Sequence, residues 1–424
     1  MPKIQHLKNN LRYITIPVKG TKTATILVIV GTGSKYENKE NNGISHFLEH
    51  MFFKGTKKRP NTLALSSELD SMGAEFNAFT SKEFTGYWIK AGAEKLGQAT
   101  EIVSDMFLNS KLDEAEIDRE KGVIIEEMNM YRDNPMHYIE DLFEELLYGD
   151  TPAGRDTIGV KENILKFKRD DFVNYLKSRY GADNTIVCVA GNIQKLSFGY
   201  PKLSFPGLLN KYFSKIKKSN FKDKEKVVEN QKVPASKVYY KKTDQAHLSL
   251  GVRAFPVEHK CEHILRFISI LLGGSMSSRL FIELRERKGL AYYIKTGAEF
   301  YTDAGYLTTQ AGVPVDKVKE SVEIILNEYK KLKTDLVPAK ELKKIKDLFK
   351  GRIALQLEAS DDVATWYVRQ IVLRNKVLTP EEYIKKMQSV TAAQIKTVAQ
   401  EIFTNEKLNF AVIGPYHELR IKNL

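Results

Sequence analysis

The feature that most constrains the fold is an internal repeat, because two segments far apart in the 424-residue chain carry the same local pattern. Residues 171–191 and 393–414 each have the pattern of an amphipathic helix, a turn, an apolar strand and a final glycine. The final glycines are 223 residues apart, and the same offset places the apolar stretch 23–30 on 246–253. One offset that fits both ends predicts a tandem duplication of a unit of about 200 residues, a common domain size.

The order of elements within each unit predicts the fold class. In the first unit, strands are expected at 13–17, 23–30 and 83–91, and helices at 96–107, 113–131 and 136–147. Because strict strand–helix alternation is absent, we expect an α+β fold with two tandem homologous domains, each a mostly antiparallel sheet with helices packed on one face. A charged, weakly periodic stretch separates the copies. The predicted ranges are therefore a first domain at 1–212, a solvated linker at 213–236 and a second domain at 237–424.

Composition excludes several classes of protein. No stretch approaches 18 uninterrupted apolar residues, and the first residues carry charges without an apolar signal-peptide core, so we expect no membrane association and a cytoplasmic protein. Neither a GxGxxG motif after a strand nor a phosphate loop occurs, which leaves nucleotide chemistry without support. The net charge of +13 is compatible with nucleic-acid binding. Since the lysines alternate with glutamates along helical faces, we predict a solvated basic surface and no nucleic-acid partner.

The stretch 41–55 predicts a short amphipathic helix. Apolar residues recur at helical spacing from Ile44 to Met51. Asn41 and Asn42 precede them as candidate N-caps, and Gly55 follows as a candidate stop.

Two histidines on this helix give it the composition of a metal site. His46 and His50 are four residues apart, so their rings project from one face and can share one ion, and Glu49 lies beside them. The pattern HxxEH is the reversed form of HExxH. Cys188 and Cys261 are too few for a thiolate site, so any metal ion must be bound by histidine and carboxylate. From these residues alone, a surface or core histidine pair remains the alternative.

Residues 43–60 resemble the insulinase/pitrilysin family of zinc metallopeptidases, especially its processing-peptidase-like branch with chains of this length. The family has a later helix with the pattern E-x-x-V-x-x-E-E, which here is residues 120–127. The resemblance implies one zinc ion per chain bound by His46, His50 and Glu127, with 76 residues between His50 and Glu127. It also implies that Glu120 does not bind the ion itself but contacts and orients the ligands. Glu126 is a rival ligand about 100° around the helix, and the family register favours Glu127.

A second segment resembles the family's substrate strand. Asn77, Ala78 and Phe79 match its edge strand, to which an extended peptide adds through main-chain hydrogen bonds. Without the resemblance, an ordinary strand rich in threonine and aromatic residues would be preferred.

A third segment, in the second half, resembles the family's R-x6-Y element, which reaches the substrate carbonyl. Arg285 and Tyr292 match it and are implied to be catalytic and substrate-binding residues. Arg287 and Tyr293 are close neighbours that match less well, and each of the four can also be an ordinary surface or core residue.

The repeat offset separates the roles of the two halves. Applied to the four metal-site positions, it leads to residues that form no sensible ligand set: Ser269, Leu272, Gly273 and Lys350. We therefore predict a catalytic zinc-binding domain at 1–212 and a substrate-binding domain without metal ligands at 237–424.

The resemblance implies a zinc-dependent endopeptidase that hydrolyses unfolded peptides inside a chamber, by metal-activated water with Glu49 as general base. Arg285 and Tyr292 would donate to the developing oxyanion. Because one chain carries both the metal motif and the Arg/Tyr element, we expect a homodimer. A non-catalytic scaffold or assembly subunit of the same fold, and a presequence-processing peptidase, are the alternatives.

Overall fold

A computed structural model of the chain describes residues 2–193, 205–219 and 221–419. Within these ranges the strands are β1 (Gln5–His6), β2 (Arg12–Pro17), β3 (Thr23–Val30), β4 (Glu75–Thr80), β5 (Thr85–Gly92), β6 (Thr185–Gly191), β7 (Ala235–Tyr240), β8 (Gln245–Arg253), β9 (Tyr293–Phe300), β10 (Gly305–Pro314) and β11 (Leu408–Gly414).

The helices of the same ranges include long and short members. They are α1 (Ile44–Met51), α2 (Thr62–Ser71), α3 (Leu96–Asn109), α4 (Glu114–Asp133), α5 (Pro135–Tyr148), α6 (Lys161–Lys166), α7 (Arg169–Arg179), α8 (Phe205–Phe213), α9 (Glu262–Gly273), α10 (Val318–Thr334), α11 (Ala339–Gln356), α12 (Ser360–Arg374), α13 (Pro380–Gln388) and α14 (Ala392–Ile402). A π-helix spans Phe281–Arg287, and 3₁₀ turns lie at Ser34–Tyr36, Ala93–Lys95, Val315–Lys317 and Asn405–Lys407.

The strands form two sheets that share one topology, apart from the additional edge strand β1 in the first. The first has the order β1-β2-β6-β3-β5-β4 and the second the order β7-β11-β8-β10-β9. In each sheet one pair is parallel, β2 with β6 and β7 with β11, and the remaining neighbours are antiparallel. Equivalent strands keep equivalent places, so the predicted duplication is present in the topology. The α+β fold with two mostly antiparallel sheets is confirmed.

The chain divides into two compact units, and each contains residues from both halves of the sequence. The first unit contains 1–128, 155–225 and 353–379, and the second contains 129–154, 226–352 and 380–424. The units therefore differ from the predicted contiguous ranges by two exchanged segments, which carry α5 and α12.

The exchanged helices cover a second face of each sheet. In the first unit, Val368 and Ile371 of α12 pack with Leu27 and Ile29 of β3, while Val28 faces the main core on the opposite side. In the second unit, α5 packs with apolar residues of β10 and β11. The physical reason is the continuous apolar run of β3, which needs cover on both faces. Helices on one face were predicted, and the structure adds one helix to the other face.

The predicted solvated linker 213–236 is wrong in its first part. Phe213 is fully buried and Ile216 nearly so. The Lys224 side chain is 7% exposed, and its Nζ lies 3.4 Å from Oε1 of Glu83. The same carboxylate oxygen is 3.2 Å from Nζ of Lys35. A buried carboxylate requires cationic partners, and the linker supplies one of them.

Candidate metal centre

Helix α1 presents its histidines because its opposite face is buried. Ile44, Phe47, Leu48 and Met51 belong to the main core of the first unit and are almost inaccessible to solvent. Burial of these positions leaves the face with the histidine rings directed away from the core.

The start of α1 differs from the prediction. Neither Asn41 nor Asn42 caps the helix by its side chain. The residue before it is Gly43, with φ of 101°, and the Glu37 carboxylate accepts the amide hydrogens of Gly43 and Ser45 at 2.8 Å each. The prediction was wrong because an acid from the preceding loop takes the place of a local cap. The helix ends at Met51, four residues before Gly55.

Three side chains converge on one point between α1 and α4. One ligand atom each from His46, His50 and Glu127 lie within 4.8 Å of one another. Oε2 of Glu127 is 3.6 Å from Nε2 of His46 and 3.4 Å from Nε2 of His50. A tetrahedral zinc ion with bonds of 2.0–2.2 Å places neighbouring ligand atoms roughly 3.3–3.6 Å apart. The donor set and its spacing therefore fit such an ion.

Helix α4 supplies both acidic residues from one face. Glu120 and Glu127 are seven residues apart, which is two turns. Oε1 of Glu120 lies 2.9 Å from Nδ1 of His50, and its Oε2 lies 2.5 Å from Nζ of Lys54. Glu126 is exposed and is not part of the cluster. The structure thus brings together Glu127, rather than its rival, with the two histidines.

The electrostatics of the cluster favour a cation. Burial lowers the pKa of His50, but hydrogen bonds to Glu120 and Glu127 outweigh that effect and raise it to about 9. Burial raises the pKa of Glu120 and of Glu127. Hydrogen bonds from His50 and Lys54 to Glu120, and from His46 and His50 to Glu127, outweigh burial and hold both pKa values below the ordinary one. Both carboxylates are therefore ionised around the imidazoles, an arrangement that compensates a positive charge.

Glu49 lies beside the cluster with a partner from another element. Thr80, the last residue of β4, donates from Oγ1 to Oε2 of Glu49 at 2.5 Å. Burial raises the pKa of Glu49, and the bond from Thr80 and the nearby His46 and His50 offset only part of the rise. A carboxylate with a raised pKa, not itself in the ligand cluster, is suited to accept a proton near neutral pH.

The predicted substrate residues lie on the edge of the first sheet. Asn77, Ala78 and Phe79 are in β4, which pairs with β5 and ends the strand order of the described sheet. Oδ1 of Asn77 accepts the amide hydrogen of Ala78 at 2.8 Å. The Asn77 side chain thus already occupies one main-chain donor of this strand.

Arg285 and Tyr292 lie together in the second unit, on and after the π-helix. Nη1 of Arg285 donates to the carbonyl oxygen of Tyr292 at 2.7 Å, and the guanidinium group lies 5.5 Å from the centre of the Tyr292 ring. Tyr292 is 72% exposed. The neighbouring candidates have other partners. Arg287 pairs with Glu283, and Oη of Tyr293 lies 3.0 Å from Nδ1 of His247.

Comparison with known proteins identifies the family of the chain. Residues 13–161 match the insulinase family, described as peptidase family M16, and residues 166–349 match the domain described as the peptidase M16 inactive domain. The chain belongs to the insulinase family, peptidase family M16. The expected family is confirmed.

The relatives of this M16 chain match it over almost its whole length. It is 35% identical to an uncharacterised zinc protease of Bacillus subtilis, over 96% of this chain and 97% of the relative. It is 31% identical to the beta subunit of the mitochondrial-processing peptidase of Mus musculus, over 97% of this chain and 84% of the relative. A protease from Helicobacter pylori has a similar structure, with a TM-score of 0.90 and 25% identity, covering 98% of this chain and 99% of the other.

Further residues near the centre of this M16 member were not predicted from its sequence. Thr80, Lys54 and Glu37 all contact the centre or its helix and were not predicted. Lys54 lies three residues beyond the end of α1 and contacts Glu120 of α4, so its contact also depends on the tertiary structure. Thr80 and Glu37 approach from other elements, and no local pattern indicates them. Among the described residues, every helix is too short or too polar to cross a bilayer.

Proposed function

We propose that this M16 chain is a zinc-dependent endopeptidase that acts on unfolded peptides. The observation that carries the proposal is the cluster of His46, His50 and Glu127 with Glu49 beside it. Two neutral imidazoles and one carboxylate are a ligand set of catalytic zinc sites, which keep one position open. The relatives named as zinc proteases support the choice of zinc.

In this proposal Glu49 is the general base. A bound zinc ion supplies a Lewis acid that polarises carbonyl groups and makes water more acidic. Glu49 accepts a proton from the attacking water and delivers it to the leaving amine. Its hydrogen bond from Thr80 orients the carboxylate, and its raised pKa brings proton transfer closer to neutral pH. Glu120 fixes the orientation of His50 through Nδ1.

The edge strand β4 is the proposed peptide-binding element. An extended peptide paired with Asn77, Ala78 and Phe79 would be recognised by its backbone, which a folded protein cannot offer. Pairing at Ala78 would displace the Asn77 side chain from the amide that it now occupies. Because Thr80 continues the same strand and contacts Glu49, a peptide held there would lie next to the base.

Arg285 and Tyr292 are the proposed donors to the developing oxyanion. Tyr292 is largely exposed, so its side chain is accessible to a substrate, and the Arg285 guanidinium group lies beside its ring. One well-placed donor contributes about 3 kcal/mol to transition-state stabilisation. We propose that hydrolysis takes place in an enclosed chamber, as the family resemblance implies.

Assembly and substrate class also remain proposals. We propose a homodimer because one chain carries both functional elements. The mouse relative is named as one subunit of an enzyme, which supports a heteromer instead. The same relative favours presequence processing as a second candidate function. A scaffold role is disfavoured by the intact ligand cluster. A cytoplasmic location and the absence of a nucleic-acid partner stay predictions.

The deciding experiment is digestion of a peptide library, with and without a chelator, by the wild-type chain, Glu49→Gln and Glu126→Gln. We expect chelation to abolish cleavage and Glu49→Gln to slow it about 10³-fold while retaining zinc. The exposed Glu126→Gln control should cleave like wild type. Cleavage that survives in both the chelated protein and Glu49→Gln contradicts the proposal. Inclusion of a basic amphipathic presequence beside a scrambled peptide of equal charge tests the second candidate, which predicts preference for the presequence.

A further inference from the structure

The N-terminal end of α1 depends on one buried acid from outside the helix. Glu37 is 3% exposed. Its Oε2 accepts the amide hydrogen of Gly43 and lies 3.1 Å from Nδ2 of Asn42, and its Oε1 accepts the amide hydrogen of Ser45. The first amides of a helix have no partner within the helix. Glu37 therefore satisfies two of them with two separate oxygen atoms, immediately before the first histidine.

The segment before the helix admits little movement. Gly43 has φ of 101°, and a Cβ atom there would lie 2.8 Å from the carbonyl oxygen of Ile158. Nδ2 of Asn42 also donates to the carbonyl oxygen of Asp156 at 3.0 Å. Close backbone approach and a left-handed glycine fix the path of the chain into α1. The hydrogen bonds to Glu37 fix the position of α1 along that path.

The loop that carries Glu37 is bound to the turn after β4. The amide of Ser34 donates to the carbonyl oxygen of Ser81 at 3.1 Å, and the amide of Lys35 donates to that of Lys82 at 2.8 Å. This turn directly follows Thr80, the partner of Glu49. One short loop thus contacts both the helix that bears the metal ligands and the strand end that orients the base.

We propose that Glu37 is a positioning residue that fixes α1, and with it His46, Glu49 and His50, relative to the end of β4. The inference rests on the proposed zinc site. Glutamine at this position keeps the size of the side chain but offers one acceptor oxygen, so one of the two amides must lose its partner. Aspartate keeps both oxygens on a side chain that is one methylene shorter. Glu40 is an exposed acid three residues later and provides a control with the same change of charge.

The test compares wild type, E37Q, E37D and E40Q by three measurements. These are zinc affinity by competition with a chromophoric chelator, the visible spectrum of the Co²⁺-substituted protein, and the melting temperature of the metal-free protein. We expect E37Q to bind zinc about tenfold more weakly, as for other residues that orient ligands, and to show an altered Co²⁺ spectrum. E37D should recover most of the affinity and spectrum, and E40Q should match wild type. With peptide substrate, kcat of E37Q should fall more than KM rises.

The outcomes separate this inference from the proposed function. Wild-type zinc affinity and Co²⁺ spectrum in E37Q, whatever its melting temperature, overturn the positioning role and leave a merely structural one. If E37Q does not fold, E37D decides: we expect its zinc affinity to be reduced by less than the roughly tenfold loss expected for E37Q, and unchanged affinity and spectrum overturn the inference. A wild-type chain without stoichiometric metal overturns the proposed function and this inference with it.

Discussion

Helices α1 and α9 occupy equivalent places in the two halves, yet among the described residues only α1 contributes to a candidate ligand cluster. Each packs against the edge strand of its sheet, α1 against β4 and α9 against β9. At the repeat offset, His50 corresponds to Gly273, where a Cβ atom would overlap the backbone of Thr296. The second copy therefore lacks space for a ligand as well as the ligand itself. The first copy thus holds the candidate metal centre, whereas tight packing closes the equivalent space in the second.

The largest effect is expected from a variant that lacks the proposed general base but keeps the proposed metal ligands. Glu49→Gln should lower kcat by about 10³-fold, a usual contribution of a general base, and should leave zinc content unchanged. Steady-state kinetics with a quenched peptide and elemental analysis measure the two quantities. A variant with near wild-type kcat would show that the base is another group.

The next effect tests whether the second half contributes to the reaction. Tyr292→Phe should lower kcat and kcat/KM together by about 10²-fold, because the lost hydroxyl would act mainly in the transition state. Tyr293→Phe is the matched control, and its kcat should stay at the wild-type level because its hydroxyl bonds to His247 within the second unit. A rise in KM alone for Tyr292→Phe would instead identify a ground-state binder.

A third change tests the packing argument for α9. Gly273→Ala should lower the free energy of unfolding by about 2 kcal/mol, since a methyl group is forced against β9. Gly297→Ala is the control, because no atom lies within 4 Å of a Cβ at that position, and its stability should stay within about 0.5 kcal/mol of wild type. Urea unfolding measures both. Equal stability of the two variants would refute a closed space at 273.

The smallest effect concerns the segment between the two halves. Lys224→Met should cost about 1 kcal/mol of unfolding free energy, because the buried Glu83 keeps Lys35 but loses its second cationic partner. Lys222→Met, at an exposed position two residues earlier, should have no measurable effect. If the two variants unfold at the same urea concentration, this ion pair of the linker does not contribute to the free energy of unfolding.

Much of the fold could be predicted because its signals are local. The predicted strand at 23–30 coincides with β3, and the helix predicted at 113–131 differs from α4 by one residue at its start and two at its end. The strand predicted from residue 83 begins two residues later because Ser81 and Phe84 close a hairpin turn before it. The single repeat offset was sufficient to anticipate that both sheets share one topology.

The errors have a common physical cause, which is contact between distant segments. Helices were predicted on one face of each sheet, and no local pattern indicated that the distant α12 would cover the other face of β3. Lys224 has the composition of a solvated linker residue, and only the nearby buried Glu83 explains its burial. By local pattern Asn41 and Asn42 are acceptable caps, but in the structure Glu37, from an earlier loop, accepts the amide hydrogens at the start of the helix.

Helical periodicity, which the backbone fixes, is enough to place His46 and His50 on one helical face and Glu120 and Glu127 on another. That these two faces meet, that Glu127 and not Glu126 completes the cluster, and that Thr80 and Glu37 support it depend on the packing of distant elements. Residues on different elements become neighbours through the packing of whole helices and strands, and that packing depends on the entire core rather than on any local pattern.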